Sequence, residues 1–171
     1  NGLPDAQVID GGAGFDRADL SYTGATASLE VDFQTALNGE AQMTGGTVLR
    51  EIEQVYFISG SGDDFLAAIG FGDTINGGAG FDVLGYNGSG QLDGINFWYR
   101  AASGDYAFIA NGVYNSLQGA EGFVMVGGAG NDSLTGYHNA TQSFDLFGGA
   151  GDDALAGGAQ GARAGDLAAG I

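Results

Sequence analysis

Three consecutive nonapeptides decide the fold: Ser59-Gly60-Ser61-Gly62-Asp63-Asp64-Phe65-Leu66-Ala67, then Ala68-Ile69-Gly70-Phe71-Gly72-Asp73-Thr74-Ile75-Asn76, then Gly77-Gly78-Ala79-Gly80-Phe81-Asp82-Val83-Leu84-Gly85. Aspartate holds the sixth place each time (Asp64, Asp73, Asp82), and a branched aliphatic holds the eighth (Leu66, Ile75, Leu84). Successive glycines reach positive φ without a Cβ penalty, so backbone carbonyls can be turned along one edge. The x-apolar-x triplet after each aspartate makes a very short strand with one side chain pointing inward. Turn, carboxylate and aliphatic in fixed order specify a coil with a hard-cation site in its wall. If each nine is half a coil, turns on one edge recur every second repeat. Asp64 and Asp82 then share an edge and can hold one ion between them, while Asp73 falls opposite.

The glycine hexad recurs beyond this stretch. It stands at Gly11-Gly12-Ala13-Gly14-Phe15-Asp16, at Gly127-Gly128-Ala129-Gly130-Asn131-Asp132 and at Gly148-Gly149-Ala150-Gly151-Asp152-Asp153. In the hexad at 59–64, serine replaces the first glycine. This GGxGxDxUx pattern resembles the calcium-binding nonapeptide of the RTX (repeats-in-toxin, hemolysin-type) proteins. The resemblance covers most of residues 8–157. It implies an all-β fold, a parallel β-roll or β-solenoid with glycine-rich calcium-binding turns and longer inserted coils. It also implies carbonyl co-ligands at the first and third places of the hexads: Gly11 and Ala13, Ser59 and Ser61, Gly77 and Ala79, Gly127 and Ala129, Gly148 and Ala150. Calcium accepts carboxylate and carbonyl oxygens together, about six to eight in all, without a rigid cage.

Composition narrows the class. The 171 residues fit one repeat-built domain or a section of a longer array. Glycine, at 35 residues, has roughly three times its usual share, without the Gly-X-Y period of collagen. An apolar content of 44% with 11% aromatics argues against disorder. No apolar run is long enough to span a bilayer, which gives no expectation of membrane insertion. Arg17, Arg50, Arg100 and Arg163 are the only strong bases against 21 carboxylates, for a net charge of −17. That balance excludes nucleic acid and anionic membrane as electrostatic partners. It would also loosen the compact state unless divalent cations neutralise part of it. With no cysteine, disulfides and thiolate metal sites are excluded, and bound metal is the substitute staple.

Along the chain, residues 1–7 carry the single proline, Pro4, and read as a linker. Leu29, Val31 and Phe33 alternate with polar neighbours and predict a half-buried strand; residues 52–58 predict a second. Asn38-Gly39 and Gly45-Gly46 mark turns. A longer unit then repeats. Leu20-Ser21-Tyr22-Thr23-Gly24 answers Leu84-Gly85-Tyr86-Asn87-Gly88, and Glu53-x-Val55-x-Phe57-Ile58 answers Glu121-x-Phe123-x-Met125-Val126. The single domain therefore divides into a first long unit at 8–76, a second at 77–147 and a partial third unit or cap at 148–171. Helix signals are weak: the tail after Gly157 is alanine-rich but broken by Gly165.

As metal ligands, Asp64 with Asp82 is the best-formed pair. Asp132 and Asp153 stand 21 residues apart, and a loop at 137–142 would have to absorb three of these for them to stack. Asp16 has Gln34 eighteen residues on, so its site needs a ligand from the long unit. Asp73 lacks a preceding glycine pair. Asp63 and Asp152 are expected to point outward and only raise the negative potential. Within Phe97-Trp98-Tyr99 the alternation packs Phe97 and Tyr99 inward and exposes Trp98; Trp98 and Tyr99 are the candidates for contact with a glycan.

No catalytic site is expected. His138, the sole histidine, sits in a polar loop, and there is no HExxH, GxSxG or P-loop lysine. The resemblance implies a calcium-loaded structural section of a secreted bacterial protein, extracellular or on the cell surface. It would be exported unfolded through a type I channel and fold in external calcium as a scaffold or stalk. Neighbouring repeats or self-association are the expected protein partners. An adhesin or glycan-binding module, or the accessory roll of a secreted hydrolase, are the alternatives.

Overall fold

The computed structural model describes residues 5–136, 141–157 and 163–165. Pro4 and the first residues of the leading linker, His138 with most of its loop, and nearly all of the alanine-rich tail lie outside the described residues.

The described residues are all-β, with one short 3₁₀ turn. In order the strands are β1 (Val8–Asp10), β2 (Arg17–Ser21), β3 (Glu30–Asp32), β4 (Glu40–Gln42), β5 (Val48–Arg50) and β6 (Gln54–Ile58). The nonapeptides follow as β7 (Phe65–Ala67), β8 (Thr74–Asn76) and β9 (Val83–Asn87). Then come β10 (Asn96–Arg100), β11 (Asp105–Ala110), β12 (Val113–Gln118) and β13 (Gly122–Val126). The last are β14 (Ser133–Thr135), β15 (Ser143–Phe147), β16 (Ala154–Ala156) and β17 (Arg163–Gly165).

From β6 to β10, and again from β12 to β17, consecutive strands alternate between two sheets. An eight-stranded sheet runs β16-β14-β10-β11-β12-β8-β6-β2, and a six-stranded sheet, all parallel, runs β17-β15-β13-β9-β7-β3. From β6 to β9, strands two apart in the chain pair: Phe65 of β7 lies opposite Val83 of β9, and Tyr56 of β6 opposite Thr74 of β8. A small third sheet, β1-β5-β4, covers the start.

The eighth-place residues Leu66, Ile75 and Leu84 are all fully buried. Register lines them up with the longer strands. Leu20, Phe57, Ile75 and Leu117 form one row, and Val31, Leu66, Leu84, Phe123 and Phe144 form the facing row. Parallel pairing with every inward residue apolar makes this core continuous along the stack.

Two sequence expectations need correction. The alternation at 29–33 does bury Leu29, Val31 and Phe33, but the strand is only Glu30–Asp32. Asp32 accepts the Gln34 N–H and caps a 3₁₀ turn, Phe33–Leu37, so the backbone leaves extended geometry there. The pairing is also not parallel throughout. β10, β11 and β12 form an antiparallel meander inside the eight-stranded sheet, and β4 pairs antiparallel with β5. Asn111 (φ 53°) and Gly112 (φ 71°) make the tight turn between β11 and β12. An Asn-Gly pair favours that hairpin turn, so the signal was present in the sequence.

The meander widens one sheet without widening the other: β9 and β13 are neighbours, whereas β8 and β14 are separated by three strands. Aromatic rings fill the extra width. Tyr106 lies 4.3 Å from Phe123 and 5.2 Å from Phe97, Phe123 lies 5.5 Å from Phe144, and Tyr86 stacks on Phe108 at 4.6 Å. Phe123→Ala removes a ring that takes part in two of these contacts and is expected to cost about 3–5 kcal/mol. A urea midpoint measured in saturating calcium checks it; a shift below about 1 kcal/mol would mean the wedge repacks.

Candidate metal centre

The glycine turns stack directly on one another. The Ala79 N–H donates to Gly60 O at 2.9 Å and the Ala150 N–H to Gly128 O at 2.8 Å. This ladder links the second place of one hexad to the third place of the next. The carbonyls of Ser59, Ser61, Gly77 and Ala79 take no part in that ladder. The closeness demands glycine: a Cβ on Gly78 would sit 2.3 Å from Gly60 O, and one on Gly80 equally near Gly62 O.

The sixth-place residues Asp64, Asp73, Asp82 and Asp132 are buried within these stacks, while Asp16 and Asp153 are half-buried. Asp82 Oδ1 accepts the Asp64 N–H at 2.9 Å, and Asp64 Oδ1 accepts the Leu29 N–H at 2.7 Å. The Ser59 hydroxyl bonds Asp64 Oδ2, which is the role found for the serine that replaces glycine. On the opposite edge Asp153 Oδ1 accepts the Asp132 N–H at 2.9 Å, so these two are neighbours despite their 21-residue separation. Asp132 in turn takes the Ile95 N–H at 2.6 Å and the Gly128 N–H at 3.0 Å.

Asp73 lies on that opposite edge too, fully buried, and both its oxygens are engaged, by Val55 N–H (2.8 Å) and Gly70 N–H (2.7 Å). Its own N–H, with that of Gly72, donates to Asn115 Oδ1. Asn115, on the meander, thus stands where a further hexad aspartate would. Asp16 donates its N–H to Glu53 Oε2 at 2.8 Å, and Asp82 does the same to Glu121 Oε2 at 3.0 Å. The repeated Glu53/Glu121 frame was visible in the sequence, but not that each glutamate meets a hexad.

The fifth-place expectation is corrected at Asp63. It is exposed, yet its Oδ1 accepts the Phe81 N–H at 2.8 Å, and Asn131 Oδ1 does the same for Asp152 N–H at 3.0 Å. Fifth-place side chains therefore tie neighbouring turns as well as adding charge. The first- and third-place residues are where a stack requires them: Gly77, Gly127 and Gly148 are buried, Gly11 is half-buried, and Ala13, Ser61, Ala79, Ala129 and Ala150 are exposed.

Burial and like charge disturb these carboxyls. Asp82 is pushed up to about 6 from an ordinary 3.8, chiefly by removal of water and further by the charges of Asp64, Glu121 and Asp63, against the Asp64 N–H that favours ionisation. Burial likewise raises Asp132 and Asp73. A carboxyl whose folded pKa is raised binds its proton more tightly folded than unfolded. Its contribution is complete below 3.8 and lost as pH rises through about 6. In chelator, strand signal by circular dichroism is therefore expected to grow as pH falls from about 7 to about 5. A decline over that window would contradict the sign.

Among the described residues no three His, Asp or Glu side chains converge, so a cation here would draw on backbone carbonyls. Two buried carboxylate oxygens, Asp16 Oδ2 and Asp82 Oδ2, accept no hydrogen bond. A buried carboxylate oxygen without a donor is costly unless something positive meets it.

Trp98 and Tyr99 do not come together, because neighbouring strand residues face opposite sides. Tyr99 packs against the core, 5.2 Å from Tyr106, whereas half-buried Trp98 lies 6.1 Å from Tyr114 on the outer face. The Arg100 guanidinium sits 5.6 Å over the Tyr114 ring.

No protein-family model, curated protein or solved structure matches the chain.

Proposed function

We propose that this chain is a calcium-binding section of a secreted, RTX-type bacterial protein, built as a β-roll and acting as scaffold or surface stalk rather than as an enzyme. The observation that carries the reading is the stacked pair Asp64 and Asp82, buried between glycine turns, with one carboxylate oxygen left without a donor. Strands that alternate between two largely parallel sheets, joined by these turns, support the roll.

Asp64, Asp82, Asp132 and Asp153 would hold the ions, together with first- and third-place carbonyls. The ion supplies positive charge where the chain has concentrated negative charge. Without it, repulsion among turns at a net charge of −17 opposes closure. With it, ligand binding and folding are one equilibrium. Extracellular calcium modules work at about 10⁻⁴–10⁻³ M, which matches a chain kept open inside the cell and closed outside it. A calcium titration followed by circular dichroism tests this: strand signal that is indifferent to chelator overturns it.

A second reading, glycan binding, is favoured by the outer-face group of Trp98, Tyr114 and Arg100. Loss of carbohydrate retention in Trp98→Ala with an intact calcium response would establish it.

A further inference from the structure

The hexad at 77–82 has the hexad at 59–64 on one side but no hexad on the other. There it abuts a three-residue turn, Gly119-Ala120-Glu121. The hexad at 11–16 abuts Glu51-Ile52-Glu53 in the same manner. The two junctions agree bond for bond. Gly11 N–H donates to Arg50 O and Gly77 N–H to Gln118 O; Asp16 O accepts from Glu53 and Gln54, and Asp82 O from Glu121 and Gly122. The first residue of each short turn is left-handed, Glu51 at φ 49° and Gly119 at φ 59°. A non-glycine residue held there is unusual. In both turns that conformation aims the carbonyl at the hexad's first glycine: a Cβ on Gly11 would lie 2.3 Å from Glu51 O, and one on Gly77 would lie 2.3 Å from Gly119 O.

The same space already exists between two true hexads. A Cβ on Gly127 would meet Gly148 O and Asp132 Oδ2, both at 2.1 Å, while Asp132 N–H donates to Asp153 Oδ1. At the short turn, the Cβ position of Gly77 is flanked by Gly119 O and by Asp82 Oδ2 at 2.7 Å, while Asp82 N–H donates to Glu121 Oε2. The short turn thus copies the carbonyl and the carboxylate of a hexad, with the longer reach of glutamate replacing the missing residues. One difference separates the two cases. Asp132 Oδ2 accepts the Gly128 N–H, but Asp82 Oδ2, in a residue with no solvent exposure, accepts nothing, and neither does Asp16 Oδ2.

We infer that the two short turns each complete a further calcium site, with Asp82 and Glu121 as carboxylates of one and Asp16 and Glu53 of the other. The inference rests on the hexads being calcium turns and extends it to turns with no hexad. The ion at Asp82 and Glu121 bridges from the nonapeptide run to the strand after the antiparallel meander, adding one cation beyond the Asp64–Asp82 pair on that edge.

Calorimetric titration of the chelator-stripped full chain with calcium chloride tests this on the wild type and on the double variant Glu53→Gln/Glu121→Gln. Glutamine keeps an oxygen to accept the Asp16 and Asp82 N–H groups and removes only the charge. The expected result is two fewer ions per chain, with the remaining uptake unchanged. Wild type that takes up calcium, with a variant that takes up as many ions at the same affinity, overturns the inference and leaves the hexad reading standing. Wild type that takes up none overturns both. Should the variant fail to fold in calcium, terbium-soaked crystals of the wild type decide: an anomalous peak against Asp82 Oδ2 and Glu121 supports the site, and its absence there overturns it.

Discussion

Gly78→Ala is expected to destabilise the calcium-loaded chain by at least about 3 kcal/mol, whereas Gly12→Ala costs about 1 kcal/mol. Both glycines hold the second place of a hexad with positive φ, +91° and +76°. Both substitutions therefore carry the same left-handed backbone strain. They differ in what lies beyond: nothing within 4 Å at Gly12, but Gly60 O at 2.3 Å and Gly60 C at 3.2 Å at Gly78. Those atoms are backbone, held by the Ala79 N–H bond to Gly60 O, so neither turn can retreat without opening the ladder. The difference between the variants, from urea midpoints in saturating calcium, isolates the cost of separating two turns. Equal losses at the two sites would mean the turns do not pack as described.

Withdrawal of calcium is expected to have the largest effect of all: loss of most strand signal in excess chelator, restored by calcium in the millimolar range. A ligand at about 100 times its Kd contributes about 2.7 kcal/mol per site when only the folded chain binds it. Several such sites together match the entire stability of a typical domain, about 5–15 kcal/mol. The carboxylates concerned are poorly supported without the ion. Asp82 sits beside Asp64, Glu121 and Asp63 with only the Asp64 N–H donating to it. Circular dichroism across a calcium titration at constant ionic strength measures this. Magnesium should substitute poorly, since it demands a smaller, near-octahedral oxygen shell than flexible turns provide. A chelated chain that melts at the same temperature as the loaded one would remove the basis for the proposed function.

The sequence by itself determined where the nonapeptide run turns and which side chain of each of its short strands is buried. Glycine's access to positive φ and the alternation of a strand are local properties, so Leu66, Ile75 and Leu84 could be assigned to the interior and Asp64, Asp73 and Asp82 to the turns without any tertiary information. Even the neighbouring of Asp64 and Asp82 followed, because an unbroken nine-residue beat fixes which turns coincide.

Only the tertiary structure decided what adjoins a turn once that beat is interrupted. Asp82 meets Glu121, Asp16 meets Glu53 and Asp73 meets Asn115 across separations of 39, 37 and 42 residues. Parallel pairing joins strands that are distant in the chain, and the partner depends on where the inserted residues go. Here residues 96–118 enter one sheet as a meander while β9 and β13 stay paired in the other. Local pattern carries no record of that choice. It is settled by the aromatic rings that fill the wedge and by the carboxylates that take up the free amides at its rim.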